Sequence, residues 1–346
     1  MTFSSRRFFF PLVLAAAVLV IGGVLRLPVS VVTSEPFGAG GAAISAQQRP
    51  LQALYQVEER ALKEGWSSAL AETAGSIWWE LGDPVEAVAY WQMADDSEAI
   101  HRRLAEAYLE LGEWGLASDL LRSLETGADD ATRAWVAMQL GLMHAASDPQ
   151  SARDWLEQAA SSEPGYASSL GALINTLSVT SNPVRIGMAL ARLELWQYAE
   201  HAFMEAPYDP VALAFLALSR EQLGKDGSVY LSAALRLGDN DSQVRYLEGL
   251  IFRLRGDYEA SLAAFIQATA LHPDDPALVA ELGTAYQHVG DLVSAERWLQ
   301  FALDLSSGDP AYARRIESLR TEEATLRDAI AAMIDSAPIP ESETMP

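Results

Sequence analysis

Five histidines, His101, His144, His201, His272 and His288, are the side chains of this sequence best suited to proton transfer or metal ligation. No two of them stand three or four positions apart. A helical metal site needs two ligands on one helix face, as in His-Glu-x-x-His, and that pattern is absent. The chain has no cysteine, which removes thiolate nucleophiles, disulfides, iron–sulfur clusters and Cys-based zinc sites. Gly-x-Ser-x-Gly, a Walker loop and the kinase signatures are also missing. The stretch Gly38-Ala-Gly40-Gly-Ala-Ala43 has the spacing of a dinucleotide-binding loop. Such a loop works only between a strand and a helix of a βαβ unit, and the residues after this one have helical periodicity alone. The carboxylates Asp83, Asp257 and Asp291 fall at turns, where an acid before a helix offsets the helix dipole. The expectation is a chain without catalytic residues, cofactor or metal.

Charge narrows the partners. The 346 residues carry 47 acidic and 24 basic side chains, a net charge of −23. Nucleic acid is disfavoured, because phosphate contacts need clustered Lys and Arg. Anionic lipid headgroups are disfavoured on the same ground. The acidity gives solubility by self-repulsion and leaves room for basic partners. Half of the residues are apolar, enough to bury a core.

The elements divide the chain unevenly. Arg6 and Arg7 precede an uncharged run from Phe8 to Leu25. As a helix, 18 such residues reach about 27 Å, close to the thickness of a bilayer core. Arg26, Leu27 and Pro28 come next, and small residues suited to signal cleavage come only near Ala43 to Ala46. Residues 1–26 are therefore expected to be an uncleaved signal anchor, a single transmembrane helix. The arginines favour a cytoplasmic N-terminus and an extracytoplasmic remainder. The alternative is a cleaved signal and a secreted or periplasmic protein. Residues 27–50 have linker composition and, as a flexible coil, span roughly 25–30 Å.

From about residue 50 the chain shows paired stretches of helical periodicity separated by Gly, Asp or Pro. Successive turn glycines lie 30 residues apart (Gly82, Gly112), 32 apart (Gly224, Gly256) and 34 apart (Gly256, Gly290). A period in this range means stacked repeats. One copy reads Val279, Leu282, Gly283, Tyr286, Gly290, Ala295, Leu299, Ala302. The copy before it reads Gly249, Phe252, Gly256, Ser261, Phe265, Ala268, Pro273, with Glu248 where Leu is usual. Others carry Ala74-Gly75, Trp78 and Trp91; Leu104-Ala105, Tyr108 and Leu121; Leu140-Gly141 and Leu156; and Ile186-Gly187 and Phe203. The copy around Gly224, Leu231 and Ala234 has a shortened turn.

These residues resemble the tetratricopeptide repeat (TPR) family. The resemblance implies an all-α, right-handed α-solenoid of helix–turn–helix units over residues 51–308. It is interrupted near 165–183, where one helical stretch has no partner. Residues 309–334 are expected to form a more polar closing helix, and 335–346 a disordered tail. In this family ligands lie in the groove lined by the first helix of each unit. Carried onto this chain, that face presents Trp79, Arg102, Arg103, Tyr246, Leu250, Arg253, Gln287 and His288, with Glu106, Glu281 and Thr284 beside them. Trp78 and Trp91 sit at packing positions, whereas Trp79 points to another face and is expected to be exposed on the groove; Trp66 and Trp155 have no clear place. The Lys and Asn set with which one subfamily clamps a chaperone's C-terminal carboxylate is missing, since Glu106, Leu250 and Thr284 stand where Asn is wanted. The implied function is a non-catalytic scaffold, membrane-tethered, binding a protein or peptide. The alternatives are a self-assembling, homo-oligomeric subunit of an envelope complex, or an accessory to a polysaccharide or peptidoglycan machine.

Overall fold

The computed structural model describes residues 48–125 and 129–336. The expected membrane segment, most of the linker and the C-terminal tail lie outside them. Among the described residues no helix is long and apolar enough to cross a membrane. These residues are helical throughout, with no strand, as the periodicity predicts. Two compact units divide at Asp95 and Asp96.

The first unit holds α1 (Gln48–Glu64), α2 (Ser68–Glu80) and α3 (Pro84–Trp91). Leu54, Ala74 and Ile77 form its core, with Trp78 and Tyr90 packed against them. Trp66 finds its place here, its ring 5.1 Å from that of Tyr90.

The second unit is a series of hairpins. They are α4 (Glu98–Leu111) with α5 (Trp114–Glu125), α6 (Asp130–His144) with α7 (Pro149–Ser162), and α9 (Pro183–Arg192) with α10 (Trp196–Met204). Then come α11 (Pro210–Gln222) with α12 (Ser228–Leu237), α13 (Ser242–Leu254) with α14 (Tyr258–Leu271), and α15 (Pro276–His288) with α16 (Leu292–Leu305). A lone helix, α8 (Pro164–Val179), stands between the second and third hairpins of this unit, and α17 (Pro310–Ser336) comes after the last. Each hairpin packs on the next through side chains alone. The backbone hydrogen bonds outside the helices all stay within turns and caps, and among the described residues none joins one hairpin to another.

Short turns make the hairpins, three residues long between α13 and α14 and between α15 and α16. Gly256 and Gly290 have φ of +78° and +84°, a left-handed conformation open to glycine at little cost. The next residue ends one helix and begins another. Asp257 donates its amide to the Phe252 carbonyl (3.0 Å), and its carboxylate accepts the Ala260 amide (3.1 Å). Asp291 does the same with Tyr286 (3.0 Å) and Ser294 (3.0 Å). The turn acids are thus N-caps, each worth roughly 0.5–2 kcal/mol. In the turn between α9 and α10 the left-handed residue is Glu194, at φ +60°, which is why no turn glycine marks that hairpin in the sequence.

Helix pairing depends on a small residue facing a large one. A Cβ on Gly249 would lie 2.8 Å from the Phe265 ring, and one on Gly187 would lie 2.5 Å from Phe203. Gly75 faces Trp91 and Gly141 faces Leu156 in the same way. Phe203 and Phe265 are among the largest fully buried side chains.

At the break the stacking changes. α8 packs mainly on α7 and only lightly on α9, while α10 reaches back to α6. Trp114, the first residue of α5, lies 4.5 Å from the His201 ring and 5.8 Å from the Tyr198 ring of α10. A continuous core therefore runs from α4 to α11. Trp155 is the second tryptophan to find its place, 5.5 Å from His144.

Gly249→Ala is expected to destabilise the protein by about 1–3 kcal/mol through overpacking. Gly171→Ala in α8, where an added methyl meets nothing within 4 Å, is expected to stabilise it by up to about 1 kcal/mol. Urea unfolding of the two variants checks this, and equal effects would refute the close-approach account.

Candidate functional site

The helices α13, α15 and α17 frame a cavity of about 530 Å³, lined among others by Gln243, Tyr246, Leu278, Glu281, Tyr312 and Arg315. α17 supplies one wall because it continues the series of first helices. Its opening, Asp309-Pro310, matches Asp209-Pro210 and Asp275-Pro276. Each of these aspartates caps its helix, Asp309 through the Ala311 amide at 2.8 Å and Asp275 through the Ala277 amide at 2.9 Å. Ile316 and Leu319 bury the other face of α17 against α15 and α16.

Glu281 ties the three helices together. One of its oxygens accepts from Arg253 of α13 at 2.7 Å, the other from Arg315 of α17 at 3.1 Å. Arg315 also donates to the Thr284 hydroxyl. Two guanidinium groups share one carboxylate, and with Asp275 also lining the cavity the charges here are balanced two against two, in a strongly acidic chain. Arginine presents five donors in a planar fork, more than these partners occupy.

Tyr246 stands at the cavity floor, its ring edge-on to Phe265 at 5.8 Å. Burial, then the nearby Glu281 charge, pushes its phenol above the ordinary tyrosine value. It is therefore a neutral hydrogen-bonding group with an apolar face. His288, at the end of α15, has Nδ1 2.8 Å from the Thr284 carbonyl oxygen. That contact makes Nδ1 the protonated nitrogen and leaves Nε2 as an acceptor. Burial, then the Arg253 charge, lowers its pKa. Gln287 donates to Glu322 of α17.

Of the residues read from the sequence, Tyr246 lines the cavity, Arg253 joins it through Glu281, and Gln287 and His288 lie at the end of α15 beyond it. Leu250 is half-buried between two adjoining cores and packs the hairpins together. Arg102 lies on α4, its guanidinium 4.6 Å over the Trp135 ring and 3.4 Å from Glu106, with Arg103 half-buried beside it. Trp79 belongs to the first unit and corrects an expectation. It is half-buried against Trp91, with ring centroids 5.8 Å apart, because α3 folds over it. Tyr312 and Arg315 were missed because a polar final helix reads as a cap; the Asp-Pro opening was the available signal.

No known family profile matches the sequence. No curated protein matches it either. Solved structures with likeness to the chain include TTC0263, a TPR protein of Thermus thermophilus. The identity is 20%, covering 54% of this chain and 99% of that one, with a TM-score of 0.37. YrrB, a TPR protein with an unusual peptide-binding site, is 17% identical over 57% of this chain and 96% of its own, with a TM-score of 0.35. The human IFIT1 dimer with m7Gppp-AAAA is 14% identical over 84% of this chain and 72% of its own, with a TM-score of 0.38. Likeness at this level assigns neither ligand nor partner to this chain.

Glu281→Ala is expected to cost about 1–3 kcal/mol, the range for a hydrogen-bonded charged group. The cost should shrink when Arg315→Ala is already present. A double-mutant cycle in urea checks this, and strict additivity would show that the two groups are not coupled.

Proposed function

We propose that the chain is a protein-interaction scaffold that holds an extended partner segment over α13, α15 and α17. The cavity at the junction of these helices is the observation that carries the reading. Its floor is an aromatic face, Tyr246, beside Leu278; its wall offers Arg315 donors beyond those taken by Glu281 and Thr284. A segment with one apolar side chain and one acidic side chain nearby matches both surfaces. The acidic balance of the whole chain favours a protein ligand over RNA or DNA. Residues 1–26 are proposed to anchor the protein as a single-pass membrane helix. The described units would then lie on the extracytoplasmic side, held close to the bilayer by the linker.

A photo-crosslinking residue at Tyr246, installed in cells that naturally express the chain and followed by membrane fractionation, tests the reading. One discrete cross-linked protein in the membrane fraction is expected, with its yield reduced several-fold by Arg315→Ala. Cross-links to the chain itself point instead to self-assembly. Absence of any cross-link, with the protein recovered outside the membrane fraction, overturns both the groove and the anchor.

A further inference from the structure

The seam at the break contains chemistry that the groove does not use. Tyr198 of α10 donates its hydroxyl to the Gln139 side-chain oxygen of α6, a buried bond between residues 59 positions apart. Trp114 of α5 covers the His201 ring at 4.5 Å with planes 27° apart. His144, at the end of α6, lies against Trp155 within its own hairpin, close enough to His201 of α10 for the two charges to act on each other. Each of these two imidazoles has one ring nitrogen buried without a hydrogen-bond partner, Nε2 of His144 and Nδ1 of His201.

The neighbouring charges do little to welcome a proton. Arg122 of α5 opposes a charge on His144, while Asp148, at the head of α7, favours it. Asp148 is already engaged, capping the Ser151 amide at 3.2 Å. Glu205, just after α10, and Glu200 of α10 favour a charge on His201, and His144 opposes it. Glu200 is in turn held by Arg220 at 2.7 Å and Lys225 at 3.1 Å. Glu106 of α4 faces Tyr198, and burial raises its own pKa. Burial is the largest influence on both histidines and lowers both pKa values. A protonated ring would gain a cation–π contact with Trp114 or Trp155. It would also place an unpaired charged donor in a buried site, which costs more.

We propose that the seam where α10 closes on α5 and α6 is an acid-released joint: neutral His144 and His201 hold it shut, and their protonation opens it about α8. The direction comes from linkage. In the closed state each imidazole binds its proton less readily than the exposed value of about 6.5. The open state therefore holds more protons once pH falls below that value, and closure weakens with acidification. Above about pH 7 both rings are neutral and the joint is fully closed. α8 suits the pivot, because it packs on α7 and touches α9 only lightly.

Because the chain has no cysteine, Ser123→Cys on α5 and Tyr208→Cys after α10 place two nitroxide labels uniquely on exposed sites. Pulsed EPR on the full chain is expected to give one narrow distance distribution at pH 7.5. At pH 5 it should give a broader one with a longer component. The change should vanish in a His144→Gln/His201→Gln background whose fold is verified by circular dichroism at both pH values. No change in the native-histidine chain, or the same change in the glutamine background, overturns the proposal. Two further measurements stand independently of that double variant. Carbon-13 histidine NMR should show His144 and His201 titrating below about 6.5; titration of both at or above that value overturns the proposal. His201→Phe keeps an aromatic face on Trp114 but takes up no proton, so it must move the opening to lower pH; an unmoved transition also overturns it.

Discussion

Most hairpins close because one helix presents a glycine where the other presents a large side chain. Gly249 against Phe265 and Gly187 against Phe203 bring two backbones within a ring's thickness of each other. That contact fixes the rotation of both helices and so decides which residues face outward. Tyr246 and Arg253 stand three before and four after Gly249, on one side of α13. In α15, Gln287 stands four after Gly283, which is closed on by Leu299. The groove is thus referenced to the packing, and a groove residue cannot turn away without opening the hairpin behind it.

The acid-rich composition is used in two ways that the net charge does not distinguish. Most turn aspartates accept backbone amides and set helix ends, a local task in which water remains close. Glu281 and Glu200 instead each hold two cations from other helices or turns. They are more enclosed, and each works as a bolt between successive helices of the series. The first group sets lengths; the second sets neighbours.

Much of the fold was legible because its determinants are local. A turn glycine, the aspartate after it, and a small residue 15 or 16 positions before a large one all repeat at nearly constant spacing. Of the face read from that spacing, Tyr246 lines the cavity and Arg253 joins it through Glu281. Trp79 was misread because the sequence shows a helix face but not the ring of Trp91 that closes over it. The return of α10 to Trp114 was invisible for another reason. It depends on the single unpaired helix α8 changing the phase of everything after it, and on Glu194 taking a turn position usually marked by glycine. Contacts such as Tyr198 with Gln139 leave no periodic trace.

The confinement of backbone hydrogen bonding to single hairpins and their turns has a mechanical consequence. No ladder of peptide groups runs along the second unit to be sheared as a whole; adjacent hairpins are joined by side-chain contact, which weakens gradually with separation. Pulled from its ends, such a stack yields one hairpin at a time, as a compliant spring does, and each hairpin can re-form against its neighbour when the load is removed. The seam at α10 is the exception, since it fastens residues across three hairpins.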